Sequence, residues 1–81
     1  MDINNVPMVR VTWRDARDTE TGWIDVKDII AAPLATCQEV GWMVVNNDEK
    51  IVIMRSWCLD RDDNHGGGAI ALPKGWITKI A

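Results

Sequence analysis

Val9, Val11 and Trp13 alternate with Arg10, Thr12 and Arg14, the period of two that marks a half-buried strand. The polar run over 15–21 closes at Gly22 and predicts a loop. In WIDVKDIIAAP, which follows, Trp23, Val26 and Ile30 recur at helical spacing. Asp25 suits an N-cap, Asp28 follows three residues on, and Pro33 ends the segment, so the pattern predicts a short helix of about two turns. A strand over 23–26 is the rival reading. Residues 36–45, TCQEVGWMVV, predict a second strand, NNDE a turn, and KIVIMRSWCL a third strand. From Ile51 to Met54 this third strand is apolar on both faces, which places it centrally in the sheet. Centring the turn between Asn47 and Asp48 sets Trp42 opposite Ile53 and Cys37 opposite Cys58. Residues 60–68, DRDDNHGGG, predict a mobile loop. Ala69 to Leu72 predicts a short strand, Pro73-Lys74-Gly75 a tight turn, and Trp76 to Ile80 the last strand.

Five short strands and one short helix imply a mainly β fold, a small, strongly bent antiparallel barrel with the helix after the first loop. At 81 residues the chain has room for one domain, spanning 1–81. A domain of this size buries only about 60% of its unfolded surface. Hydrophobic residues make up 47%, which supports a folded core. The aromatic set is five Trp with no Tyr or Phe, and Trp brings the largest area per residue to a small core. Trp13, Trp42 and Trp76 lie in apolar alternations and are expected inside. Trp23 and Trp57 lie in less decisive patterns.

The ending GAIALPKGWITKI looks like the end of an SH3 barrel, where a strand, a single turn containing Pro and a last strand succeed one another. Over roughly 8–80 the chain resembles a group of short, mostly uncharacterised bacteriophage and prophage proteins regarded as SH3-like barrels. The resemblance rests on Val11-x-Trp13-x-Asp15, Gly41-Trp42 before an acidic turn, Ile51-x-Ile53, and Leu72-Pro73-Lys74-Gly75 followed by Ile77 and Ile80. It implies an SH3-like barrel and a phage origin but no reaction. The polyproline groove of true SH3 domains does not carry over, because its walls are Tyr-rich and this chain has no Tyr. The hairpin GWMVVNNDEKIVIM is also similar to that of Sm-like RNA-binding rings, although their helix precedes the first strand.

The chemistry-bearing residues point away from catalysis. In DRDDNHG, Asp60, Asp62 and Asn64 have the spacing of the first calcium ligands of an EF-hand. The sixth and twelfth positions, however, are His65 and Ala71, where that loop needs Gly and Glu. Asp, Asn and Gly also favour any exposed turn. Catalysis by His65, the only histidine, needs a nucleophile and an orienting group; Cys37 or Cys58 could serve as nucleophile in principle, but no local signature supports it, and a flexible surface histidine is expected. Two cysteines and one histidine fall short of a four-ligand zinc site, and Cys37 and Cys58 are expected as a cross-strand thiol pair. Gly66-Gly67-Gly68 leads into a strand rather than a helix N-terminus, so a phosphate cradle is not expected. No catalytic residue, metal or cofactor is assigned, and the chain reads as a non-enzyme.

The net charge of −3 disfavours nucleic acid as a partner, because that binding needs clustered Lys and Arg. Neither a signal peptide nor a membrane span is read in the sequence. The expectation is a soluble protein of the infected bacterial cytoplasm, a non-enzymatic binding module whose partner is a host protein or another copy of itself. Trp23, Trp57, Arg10 and Arg14 form the candidate interaction surface. A single-stranded nucleic-acid binder of Sm-like form is the alternative.

Overall fold

The computed structural model describes residues 5–19, 22–60 and 64–81. The protein is mainly β. Strands β1 (Met8–Asp15), β2 (Ala35–Asn46), β3 (Lys50–Met54), β6 (Ile70–Pro73) and β7 (Ile77–Ile80) form one antiparallel sheet in the order β6-β3-β2-β1-β7. Between them, β4 (Ser56–Cys58) and β5 (His65–Gly67) make a second, two-stranded sheet. The helix α1 (Val26–Ile30) follows the first loop, as the sequence predicts, but runs for five residues rather than two turns.

The alternation in β1 survives intact: Val9, Val11 and Trp13 are buried and Arg10 and Arg14 exposed. They join Ile51, Ile53 and Leu72 in a six-residue core, with Cys37, Met43, Ile70 and Ile77 packed around it. One connection explains how strands at different positions in the sheet meet. The 3-10 turn Lys74–Trp76 links β6, at one edge, to β7, at the other. In a flat sheet those edges lie about 19 Å apart. Four Cα steps from Pro73 to Ile77 span at most about 14 Å. The sheet must therefore curl, bringing the apolar faces of β1 and β3 together. The curl stops short of closure: β6 and β7 each pair on one side only, so the sheet is not a closed barrel.

Three expectations are corrected. The predicted hairpin register is offset: Trp42 pairs with Met54, and Ile53 pairs with Met43. The turn is fastened one residue later than assumed, by Asn47 Oδ1 accepting from the backbone N–H groups of Glu49 and Lys50 at 3.0 and 2.9 Å. An irregularity between Met43 and Val45 then shifts the ladder again. The predicted third strand breaks at Arg55, and its second half leaves the main sheet to become β4. Finally, part of the predicted loop is strand. His65–Gly67 pairs with β4, Gly68 adopts a φ of 63° that favours glycine, and a Cβ on Gly66 would collide with Met54 Sδ.

Candidate functional site

The arm begins where β1 and β2 part. Asp15 pairs with Ala35, so the described residues 16–19 and 22–34 lie beyond the end of that ladder, and the arm is 23–34. Its helix is set by the signals legible in the sequence. Asp25 stands at the N-cap in an extended conformation, and its carbonyl accepts from Asp28 and Ile29 N–H at 3.0 and 3.2 Å. Its carboxylate makes no capping bond. Ala32 N–H still reaches Ile29 O at 3.2 Å. Pro33 then has no N–H to offer and disfavours helix for the residue before it.

This single turn carries a large apolar load in the open. Trp23 is fully exposed at 104%, Ile30 is 80% exposed and Val26 69%. Ile29 and Leu34 are also exposed, and no residue of α1 is buried. One isolated helical turn is unstable in water, and this one gains no burial of its own side chains to offset that. At the base of the arm Arg14, Asp15, Ala16, Leu34, Gly75, Trp76 and Thr78 line a cleft of about 340 Å³. Asp15 is already engaged there: Oδ2 accepts from Trp13 Nε1 at 3.1 Å and Oδ1 from Ala16 N–H at 2.7 Å.

The other tryptophans divide differently from expectation. Trp42 does not face the core; Gly41 does, because it pairs with buried Val9, and its neighbour must point to the opposite face. Trp42 is half-buried and meets Trp57 edge to face, with centroids 5.7 Å apart and planes at 82°. Trp57 Nε1 donates to Asn64 Oδ1 at 2.6 Å. Trp57, on β4, is thus half-buried, packed on Trp42 of the main sheet and hydrogen-bonded to Asn64 rather than standing free beside Trp23. Trp76, expected inside, is 42% exposed, because the 3-10 turn breaks the alternation on which that expectation rested. Arg10 and Arg14 share the exposed face of β1, as expected.

Cys37 and Cys58 are not opposed. Cys37 pairs with Trp13 in β1, and Cys58 pairs with His65 in the small sheet. No disulfide joins them. Mild oxidation is therefore expected to leave both thiols titratable in the folded monomer; a bridge found by peptide mass mapping would contradict this register. Among the described residues no three His, Cys, Asp or Glu gather as a metal site. The middle of the DRDDNHG stretch, 61–63, lies outside those residues. Among the described residues, too, no helix is long and apolar enough to cross a membrane.

No protein-family model, curated protein or solved structure matches the chain.

Proposed function

We propose that this protein is a non-enzymatic protein-interaction module whose binding element is the arm 23–34. The observation that carries the reading is the fully exposed Trp23 at the head of a helical turn that buries none of its apolar side chains. Exposed Trp is a common anchor of protein interfaces, where it fills a pocket on the partner. The helix-in-groove mode of recognition uses this kind of short apolar face. The succession of β6, a single turn after Pro73, and β7 supports an SH3-like origin for the sheet. The resemblance to short phage proteins supports a phage-encoded module acting in the cytoplasm of an infected bacterium.

The test is parallel capture with the wild-type chain and Trp23→Asp. Proteins retained by the wild type and lost by the variant are the expected result. Retention of single-stranded nucleic acid in place of protein would overturn the reading in favour of an Sm-like role, as would proteins retained equally by both chains. Trp23→Asp alters a fully exposed side chain, so its circular dichroism should match the wild type in any monomer present.

A further inference from the structure

We infer that the partner of the arm is a second copy of this chain, and that two copies exchange arms about a twofold axis. This rests on the interaction reading above and names the occupant. The first argument is area. The chain exposes 6141 Å², whereas a compact protein of 9.1 kDa exposes about 4,900 Å². Its radius of gyration is 17.0 Å, against about 12 Å for a compact chain of this length. The surplus surface is about 1,200 Å² per copy. A symmetric dimer that covered all of it would bury at most about 2,400 Å² in total, and one that covered half would still reach the size of a specific, stable interface.

The second argument is that the chain carries both halves of the contact. The apolar side chains of the arm are Trp23, Val26, Ile29 and Ile30. The receiving surface is the cleft at its base, lined by Ala16, Trp76 and Leu34, the last of these at the end of the arm itself. A twofold contact requires this kind of self-complementarity, since each copy donates and receives. The charges agree as well. Asp25 and Asp28 outnumber Lys27 on the arm, and Arg14 lines the cleft beside Asp15, whose carboxylate is engaged with Trp13 and Ala16, with Arg10 four residues along the same exposed face. In the exchanged dimer Trp23 and Ile30 of one copy enter the cleft of the other, and the two carboxylates meet Arg14 at its rim.

The experiment is light scattering on the full chain across a concentration series, with Trp emission recorded on the same samples and Trp23→Phe subtracted to isolate Trp23. The expected result is a mass of about 18 kDa, twice the chain mass, with blue-shifted Trp23 emission. Trp23→Asp with Ile30→Asp is expected to weaken association about a hundredfold or more. Arg14→Glu should also weaken it, and adding Asp25→Lys and Asp28→Lys should restore it. If the variants fail to fold, the wild type still decides, because the melting temperature of an obligate dimer rises with concentration. A 9.1 kDa species at every concentration, with exposed Trp23, would overturn the second-copy inference and leave the interaction reading standing. A monomer with shielded Trp23 would overturn both, because the arm would then be folded onto its own sheet.

Discussion

Trp13→Ala is expected to lower the stability of the chain by about 4 kcal/mol, near the middle of the range for emptying a buried aromatic site. Trp13 is 4% exposed and stands between Cys37 on β2 and Ile77 on β7. It is the largest of the six side chains in the core, so its loss leaves a cavity that five aliphatic neighbours cannot fill. A domain of this length has about 4–12 kcal/mol of stability in all. The variant should therefore be partly unfolded at room temperature. Trp13→Phe keeps most of the volume but loses the indole hydrogen bond to Asp15, and should cost about 1–2 kcal/mol. Urea titration followed by circular dichroism measures both. If Trp13→Ala kept the wild-type midpoint, the core would not be the one described.

Gly41→Ala is expected to cost about 3 kcal/mol, at the upper end for overpacking, although it adds one methyl group. A Cβ at this position would sit 2.6 Å from Met54 O and 3.1 Å from Met54 C, with Ile53 Cγ2 at 3.3 Å. Two of those three atoms are backbone, so no rotamer change relieves the clash. The β2–β3 ladder itself would have to move, and it carries buried Ile53. The control is Gly75→Ala, where nothing lies within 4 Å of the added atom and the midpoint should hold. Equal midpoints for the two variants would mean that β2 and β3 do not approach as closely as described.

These two positions show where the sequence was legible. Trp13 could be assigned to the core from alternation alone, because β1 is long, regular and polar on its other face. The need for glycine at position 41 could not. It depends on a strand crossing close to β2, and nothing near Gly41 in the chain announces that approach. The same limit explains Trp42 and Trp76. Each sits in an apolar alternation, but Trp42 is set on the far face by the parity of Gly41, and Trp76 falls in a 3-10 turn with no parity at all. The hairpin register failed for a related reason. An Asx-type turn at Asn47 and one irregularity near Val44 each move the pairing, and neither leaves a pattern in hydrophobicity.

The candidate site divides along the same line. Trp23, Arg10 and Arg14 were singled out from sequence and are exposed. The helix itself was marked by Asp25 and Pro33. What sequence could not tell is that this helix would bury nothing. Helical spacing of Trp23, Val26 and Ile30 normally means a face turned to the chain's own core, and only the folded structure shows that face left open.

By itself the sequence determined the mainly β class, the short helix, most of the strands and half of the core, because these follow from local periodicity and from capping and turn residues acting within a few positions. The tertiary structure alone decided the strand order, the open sheet, the separate β4–β5 pair and the exposed arm. Those depend on which distant segments meet, and three residues between β6 and β7 settle much of it. A link too short to cross a flat sheet forces the sheet to curl. The arm springs from the far end of the β1–β2 ladder and contributes no side chain to the core made by that curl.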